Sequence, residues 1–337
     1  MPSTPEGRAT TPPLRLSPHL LTEPAMQPED PYHEGEKAIQ ARVGVREIAS
    51  RNGRAVNTQI MAGALKFIAQ QPMAILGSMD EAGAVWASVL GGAPGFAVAP
   101  DPATVTFDLA RAASHPRDPL WANLERQPQV GGLFIEPGSR RRLRVNGRLR
   151  HDGDDALRLE VAEAYPNCPQ YIQRRHLRAA TVDSPDPVGG PFSTGDSFGP
   201  DQRQWIESAD TFFIASAHPT RGADVSHRGG PPGFVRVLDA RTLRVPDYQG
   251  NSMFNTLGNL AVHPAAGLAF IDFESGRVLQ LTGRAVIRWD LAEDDAQPTG
   301  GSARYWDFKV DRWIEAGMSR PLEAEFLDAW DRNPSPA

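Results

Sequence analysis

The sequence GGPPGF at residues 229–234 repeats, with one substitution, the earlier sequence GGAPGF at residues 91–96. A serine precedes each block by three residues, Ser88 in the first copy and Ser226 in the second, so the two copies are offset by 138 residues. Three later segments match in the same order at an offset of 136: 122–124 with 258–260, 134–136 with 270–272, and 146–148 with 282–284. Ordered matches at a nearly constant offset indicate a duplicated structural unit.

The duplicated unit has the sequence pattern of a β structure. Short apolar segments bounded by turn residues predict strands at 73–79, 85–90, 104–109, 130–136 and 142–150, with a hairpin turn at 80–83. Apolar residues at helical spacing predict helices at 34–51 and 61–70, and the segment 154–165, which stops at Pro166, is also predicted to be helical. The expected fold class is therefore mainly β with flanking helices (α+β).

Composition and charge limit the classes of function. The chain has 337 residues, of which 40% are hydrophobic and 23% charged, as in a globular protein with one large or two medium domains. A formal charge of -6 gives no overall attraction to nucleic acid or to an anionic membrane, and no run of 18 apolar residues is present. The single cysteine, Cys168, excludes a disulfide framework within one chain and fits a reducing cytoplasm.

Four segments are expected along the chain. Residues 1–30 are rich in proline and are predicted to be a flexible tail. Residues 31–183 contain the N-terminal helices and the first copy of the unit. A linker dense in Gly, Pro, Ser and Asp is predicted at 184–204, and the second copy with a C-terminal extension occupies 205–337.

The two copies differ at the end of one predicted strand. After the shared serine the first copy continues with Val89 and Leu90, whereas the second continues with His227 and Arg228. The second copy also carries GNSMFNT at 250–256, where the first has RDPL at 117–120. Arginine with small hydroxyl and amide side chains is suited to binding phosphate. The alternative is that Asn251 and Asn255 cap turns and that Arg228 is a solvated surface residue.

Longer segments of both copies resemble one known family, the pyridoxamine 5′-phosphate oxidase-like proteins. The segments that carry the resemblance are 212–216, 223–237, 246–260 and 279–283 in the second copy, and 32–36, 118–120, 142–147 and 167–169 in the first. The resemblance spans roughly residues 32–290 and implies two tandem split β-barrels. It also implies FMN as cofactor, with the phosphate on one barrel and the isoalloxazine ring at the interface between the two.

The resemblance implies a set of cofactor-binding residues in the second copy. They are Ser226, His227, Arg228, Asn255 and Thr256 at the flavin phosphate, with Asn251 and Ser252 close by. The oxidase proper carries an Arg-Lys pair about where Asn255 and Thr256 lie, so a vitamin-B6 substrate is not expected. The expected function is an FMN-dependent oxidoreductase acting on an unidentified small organic molecule, with oxygen or a separate reductase completing the cycle. The alternatives are a non-catalytic flavin- or haem-binding protein and a scaffold without cofactor, and a homodimer is left open.

No catalytic residue is assigned from the sequence, but five side chains are candidates for contact with the flavin ring. They are His33, Trp86, Cys168, His227 and Tyr248. The alternative for His33 is an N-terminal helix cap followed by the first-turn acid Glu34, and the alternative for Cys168 is an inert buried thiol. The eight histidines show no metal-binding spacing, so no metal site is predicted.

The predicted strand at 142–150 is unusually basic. Strand alternation places Arg142, Arg144, Arg148 and Arg150 on one face if the register is kept through Asn146 and Gly147. This face is predicted either to be solvated and paired with acids of the segment 152–163 or to attract an anionic substrate or the cofactor phosphate.

Overall fold

The structure is a computed structural model that describes residues 30–180, 191–289, 297–319 and 321–334. Its α-helices are α1 (Glu34–Val43), α2 (Arg46–Gly53), α3 (Ala62–Ala69), α4 (Pro119–Leu124), α5 (Pro200–Ser208) and α6 (Asn255–Val262). The first ten strands are β1 (Met73–Met79), β2 (Val85–Gly92), β3 (Ala97–Asp101), β4 (Thr104–Asp108), β5 (Ala112–Ala113), β6 (Gln129–Glu136), β7 (Arg141–His151), β8 (Ala156–Pro166), β9 (Arg174–Ala179) and β10 (Phe192–Gly195). The remaining strands are β11 (Thr211–His218), β12 (Gly222–Gly229), β13 (Arg236–Val237), β14 (Thr242–Pro246), β15 (Ala265–Asp272), β16 (Arg277–Arg288), β17 (Tyr305–Gly317) and β18 (Leu322–Asp328).

The strands form two antiparallel sheets with the same order. The first runs β3-β4-β8-β7-β6-β1-β2-β5, and the second, read in the same direction, runs β13-β14-β17-β16-β15-β11-β12. Strand β10 is added to the second sheet beside β17, and β18 pairs with β9 in a separate two-stranded sheet. The predicted duplication and the predicted pair of tandem split barrels are therefore confirmed.

Each barrel has its own core, and a third apolar cluster joins the two. Phe107 and Phe134 are buried in the first barrel, and Phe212 and Trp306 in the second. The joining cluster combines residues of both copies, including Ile75, Val89, Phe213, Val225 and Ala269. The two barrels thus bury a common apolar face, which fixes their relative position.

Glycines let the two barrels approach each other closely at related positions. A Cβ at Gly131 would lie 2.6 Å from the Cα of Asp224, and a Cβ at Gly267 would lie 2.6 Å from the Cα of Trp86. The two contacts correspond to each other, because in both cases a glycine of one copy lies against the second strand of the other copy. The interface therefore has an approximate internal twofold symmetry.

The predicted strands are confirmed, but two helical predictions need correction. The expected helix 34–51 is divided into α1 and α2, because Gly44 adopts a left-handed conformation with φ 75° and ends α1. The segment 154–165 is strand β8 and not a helix. Leu157 and Leu159 are buried there while Arg158 and Glu160 are exposed, and this alternation is the period of a strand. Pairing with β4 and β7 outweighs the helix propensity of Ala, Leu and Glu.

Two predicted boundaries lie partly outside the described residues. The tail 1–30 falls almost wholly there, and the linker 184–204 does so up to residue 190. Within the remainder of that linker, β10 pairs with β17 and α5 begins at Pro200. The domain boundaries themselves stay predictions. No helix among the described residues is long and apolar enough to cross a membrane.

Candidate functional site

A cavity of about 320 Å³ lies between the two copies, and all seven predicted cofactor-binding residues line it. They are Ser226, His227, Arg228, Asn251, Ser252, Asn255 and Thr256. Strand β12, the amino end of α6 and the preceding loop supply these side chains from the second copy, and β7 closes the cavity from the first copy. The volume is at the lower end of the range for small-molecule sites.

The amino end of α6 is open toward this cavity. Phe254 precedes the helix with φ 62° and provides no capping side chain, and the first helical hydrogen bond runs from Gly258 N to Phe254 O. Amide groups of the first turn are therefore available to a ligand, and the helix dipole favours an anion at this position. Thr256 Oγ1 lies 3.0 Å from Ser226 Oγ, so the helix end and strand β12 present their hydroxyl groups together.

Arg144 of the first copy organises this end of the cavity. Its guanidinium is almost fully buried and forms an ion pair of 2.7 Å, Nε to Oδ1, with Asp224. It also donates to Ser226 Oγ at 2.5 Å, to Asn255 Oδ1 at 2.9 Å and to the Tyr165 hydroxyl at 2.7 Å. Burial disfavours its charge, but Asp224, Tyr165 and Glu163 together outweigh burial and raise the pKa of Arg144. The side chain is therefore a permanent, oriented cation across the interface.

Arg142 lies on the same face of β7 but has no carboxylate partner among the described residues. It donates to Gln170 O at 2.8 Å and to His227 O at 3.4 Å, while its Nε is buried without a hydrogen-bond partner among them. Burial, together with the charges of Arg144 and Arg228, lowers the pKa of Arg142 to about 9. The charge of Arg142 is thus costly in the ligand-free fold, and an anion in the cavity would relieve that cost.

Another part of the cavity contains a carboxylate that two arginines share. It also contains buried hydrogen-bond donors that have no partner among the described residues. Asp247 accepts from Arg228 at 3.3 Å and from Arg304 at 3.0 Å. Burial lowers the pKa of Arg228 in spite of Asp247. Within the described part of the chain, no hydrogen-bond partner is found for Arg228 Nε, Asn167 Nδ2 or the Tyr248 hydroxyl. Burial raises the pKa of Tyr248, so that its hydroxyl stays a neutral donor.

The charges around the cavity do not balance. Arg142, Arg144, Arg228 and Arg304 line it, and the carboxylates paired with them are Asp224 and Asp247. Burial, followed by Arg142 and Arg228, keeps the pKa of His227 well below 6.5, so this ring is neutral. The excess of two positive charges matches a phosphate monoester, which carries about −1.5 to −2 at neutral pH.

An apolar and aromatic wall lines the cavity together with the arginines. Tyr171 and Tyr248 lie with ring centroids 4.9 Å apart, and Phe234 stacks on Tyr248 at 6.4 Å. Val43 and Ile48 line the cavity from α1 and α2. A flat aromatic ring system attached to a phosphate fits a site that combines aromatic and apolar walls with several cations.

A family model described as pyridoxamine 5′-phosphate oxidase matches residues 61–186 and again residues 198–324. The chain belongs to this family. The two matched segments coincide with the two copies of the fold and cover most of the chain. No curated protein sequence matches it.

Solved structures similar to the chain each span about one copy. HupZ of Group A Streptococcus is 14% identical and covers 41% of this chain and 100% of its own, with a TM-score of 0.28. An FAD-binding protein of Mesorhizobium loti is 10% identical and covers 37% and 98%, with a TM-score of 0.28. A Clostridium acetobutylicum protein of the pyridoxinephosphate oxidase family is 12% identical and covers 38% and 92%, with a TM-score of 0.26.

Within this member of the family, the first copy holds a counterpart of the cationic end. Asn123 donates to Ser78 at 2.9 Å as Asn259 donates to Ser216 at 3.0 Å, so α4 and α6 are placed alike on their strands. Gln280 takes the position of Arg144: it donates to Ala87 O at 2.9 Å, whereas Arg144 donates to Val225 O at 2.9 Å. The two ends can therefore be compared atom by atom.

A carboxylate of the protein occupies the counterpart in the first copy. Asp118 accepts from Ser88 Oγ at 2.5 Å, from Leu120 N at 2.9 Å and from Gln280 Nε2 at 3.2 Å. The corresponding donors in the second copy are Ser226, the amide of Thr256 and Arg144. The same arrangement of donors thus holds an anion in the first copy and faces the cavity in the second.

Of the five candidates for ring contact, His227 and Tyr248 line the cavity and the other three do not. The structure confirms the alternative for His33: it caps α1, where its Nδ1 accepts from Gly35 N at 3.1 Å. Trp86 is fully buried under Arg312, whose guanidinium lies 4.9 Å from the ring centroid. Cys168 is partly buried and bonds weakly to Gln170 at 3.4 Å, outside the residues that line the cavity.

The basic strand divides between two environments. Arg142 and Arg144 enter the cavity, whereas Arg148 and Arg150 on the same face are exposed. The predicted pairing with acids of a helix at 152–163 is wrong, because residues 156–163 of that segment belong to β8 and Arg144 pairs with Asp224 of the other copy.

One group of potential metal ligands is present among the described residues, and hydrogen bonds already engage it. Ligand atoms of His33, Glu34 and His218 lie within 4.8 Å of one another. His33 Nε2 is 3.0 Å from Asn259 Oδ1, and His218 Nε2 is 3.0 Å from Glu34 Oε1. The δ nitrogens of both histidines accept hydrogen bonds from backbone amides. The group therefore connects α1 to β11 through hydrogen bonds, and we assign no metal to it.

Sequence reasoning missed several residues of the site, among them Tyr171 of the aromatic wall, Asp247, Arg304 and Glu36. Asp247 and Arg304 form a buried ion pair between the loop and the start of β17, and Glu36 reaches Asn255 from α1. Asp247 lies inside a segment that carries the family resemblance and could have been found there. Arg304 lies outside the segments that carry the resemblance. Glu36 lies inside one of them, residues 32–36, but nothing in that segment shows that it meets Asn255 of the other copy.

Proposed function

We propose that this protein is an FMN-binding oxidoreductase that acts on a small organic molecule and holds one flavin per chain in the cavity between the copies. The observation that carries the proposal is the cationic end of the cavity. There Arg142 lacks a carboxylate partner among the described residues, and the uncapped amino end of α6 faces Arg144 and Ser226. Family membership supports a flavin in particular.

Each part of the cofactor has suitable partners in this arrangement. Arg142, Arg144 and Ser226, with the first-turn amides of α6, would hold the phosphate, and the aromatic wall of Tyr171 and Tyr248 would border the ring. When bound, FMN supplies the redox chemistry, since flavins carry the electrons and the protein positions the reacting partners. The role of Ser226, His227, Arg228, Asn255 and Thr256 at the phosphate, with Asn251 and Ser252 close by, is part of this proposal.

The comparison of the copies supports a single flavin per chain. In the first copy the Asp118 carboxylate already lies among the donors that would bind a phosphate. A phosphate dianion at that position would meet a buried negative charge, which is strongly unfavourable. Among the described residues, no such carboxylate lies between Arg144 and Ser226 in the second copy.

Titration of the purified protein with FMN, followed by quenching of flavin fluorescence, tests the proposal. We expect saturation at one FMN per chain, and tighter binding of FMN than of riboflavin, which lacks the phosphate. Equal affinity for FMN and riboflavin would contradict the assignment of the phosphate site, and two FMN per chain would contradict the closed first copy.

Catalysis is tested separately from binding. In an oxidoreductase, adding the substrate changes the rate at which the bound flavin is reduced or reoxidised. A flavin that binds but never responds to candidate substrates or acceptors would favour a storage or sensing protein. A Soret band in the absorption spectrum of the purified protein would indicate haem instead of flavin.

A further inference from the structure

Glu36 is a buried carboxylate that the proposed function does not use. It is the third residue of α1, and its side chain is 3% exposed. Its Oε1 accepts from Asn255 Nδ2 at 2.5 Å, and its Oε2 accepts from His33 N at 2.9 Å. Among the described residues, its ion-pair contact is with His33, 3.5 Å from Oε2 to Nε2, and no arginine or lysine is paired with it.

Close helix packing fixes Glu36 at the amino end of α6. A Cβ at Gly258 would lie 2.7 Å from the Glu36 Cα, and a Cβ at Gly35 would lie 2.2 Å from Gly258 O. The two helices therefore touch through their backbones, and the Glu36 carboxylate has little freedom to move away. Asn255 lies between this carboxylate and the main cavity, because it lines both that cavity and the small space beside Glu36.

That small space of about 30 Å³ is predominantly acidic. Glu163 on β8 and Asp224 on β12 line it together with Glu36. The charged and titratable groups that face Glu36 from the surrounding elements are His33 of α1, Arg144 of β7, Glu163 and Tyr165 of β8, Arg221 before β12, and Asp224. The two arginines are already engaged, Arg144 with Asp224 and Arg221 with Glu163. Burial, followed by Asp224 and Glu163, raises the pKa of Glu36 to about 7 in spite of hydrogen bonds from His33 N and Asn255.

Asn255 links Glu36 to the phosphate-binding end of the cavity. Its Nδ2 donates to Glu36, and its Oδ1 accepts from Arg144, which in turn donates to Ser226. An anion at the amino end of α6 would therefore lie one side chain away from a second negative charge. Like charges at such short range favour protonation of the weaker acid.

We propose that Glu36 is a positioning residue that couples binding of a phosphate-bearing ligand to uptake of one proton from solvent. The inference rests on the proposed function, because it requires an anion at the amino end of α6. The protonated carboxyl still accepts a hydrogen bond from Asn255 and so keeps Asn255 in contact with Arg144. The repulsion between the Glu36 carboxylate and the bound anion disappears. FMN affinity then decreases as pH rises above neutrality, because the free protein must recover a proton that it has lost.

Isothermal titration calorimetry with FMN, in two buffers of different ionisation enthalpy, measures the proton uptake directly. At about pH 7.5 the wild-type protein should take up a substantial fraction of one proton, and Glu36→Gln should take up none from this source. At about pH 8.5 Glu36→Gln should bind FMN about tenfold more tightly than the wild type, and near pH 5.5 the two should bind equally. Titration of the phosphate itself affects both proteins alike and cancels in the comparison.

Glu163→Gln is the matched control. Glu163 borders the same small space, but it pairs with Arg221 and not with Asn255. Its replacement should leave the proton uptake in place and only shift its pH range slightly downward, because Glu163 contributes to the raised pKa of Glu36. Equal proton uptake and equal pH profiles in Glu36→Gln and the wild type would overturn the inference while leaving FMN binding intact. If neither FMN nor inorganic phosphate binds to the wild type, the proposed function and this inference both fail. Should Glu36→Gln not fold, infrared difference spectra of the wild type with and without FMN will show whether a carboxylate becomes protonated, and no such change would equally overturn it.

Discussion

Replacing Arg142 by glutamine should have opposite effects on ligand affinity and on stability. Arg142 is partly buried beside Arg144 and Arg228, and no carboxylate in the described part of the chain compensates its charge. Most structural arginines stabilise the ligand-free protein, so their removal costs stability. Arg142 is expected to do the reverse, because its charge is useful only when an anion is bound.

The expected magnitudes follow from the contacts. A hydrogen bond from a charged donor to phosphate is worth roughly 1.5–3 kcal/mol, so Arg142→Gln should weaken FMN binding by about ten- to hundredfold. The free energy of unfolding of the ligand-free protein should stay the same or rise by up to about 1 kcal/mol, since an uncompensated buried charge is removed. The hydrogen bond of 2.8 Å to Gln170 O is lost or replaced by a weaker one, which keeps the gain small.

Fluorescence titration with FMN and urea unfolding of the ligand-free protein measure the two quantities. Arg148→Gln is the control, because Arg148 lies on the same face of the same strand but is exposed, and its replacement should change neither quantity measurably. A loss of stability without loss of affinity would show that Arg142 is a structural residue. The reasoning that places the phosphate beside it would then be refuted.

Three further tests address the asymmetry of the copies and the packing of the site. Arg228→Ala should weaken FMN binding by about ten- to hundredfold. Leu90→Ala should cost about 2–5 kcal/mol of stability and leave FMN affinity nearly unchanged. Equal small effects of both substitutions in the FMN titration would show that the phosphate site is not at Arg228. Burial raises the pKa of Asp118 from 3.8 to about 6, so the folded state favours the neutral carboxyl. The free energy of unfolding of the wild type should therefore fall as pH rises from about 4 to about 6. In urea unfolding, Asp118→Asn should flatten this pH dependence, and an unchanged pH dependence would contradict the prediction. Gly258→Ala places a Cβ 2.7 Å from the backbone of α1 and should lower stability by about 1–3 kcal/mol, whereas Gly63→Ala, in open space on α3, should raise it slightly; thermal unfolding that shows no difference between them would contradict the close contact of α1 and α6.

The strands and their duplication were predictable because both can be recognised from the order of residues along the chain. Strand alternation and turn residues repeat within each copy, and a constant offset between copies requires no knowledge of the third dimension. The exception, β8, consists largely of residues with high helix propensity. Its conformation is decided by pairing with β4 and β7, which are distant in sequence.

The candidate site was predictable only on the side that the second copy supplies. The contrast of Leu90 with Arg228 pointed to that side, and the structure places Arg228 at the cavity. The other half of the site comes from Arg142 and Arg144 of the first copy, and no local pattern tells which basic residues of a strand meet a second barrel. Their alternation on β7 was visible in the sequence, but the face they share was equally consistent with solvent.

The internal symmetry distinguishes positions that hold the barrels together from positions around the proposed anion site. Positions that hold the barrels together are equivalent in both copies, as with the serine–asparagine pairs and with Gly131 and Gly267. Positions around the anion site have diverged instead: Arg144 corresponds to Gln280, and Asp224 corresponds to the fully buried Trp86. A charged pair was thus matched by a neutral amide and an apolar ring, which together tolerate burial without a ligand. In the second copy the charged pair remains, and the uncompensated charge of Arg142 beside it is the physical reason to expect a bound anion there.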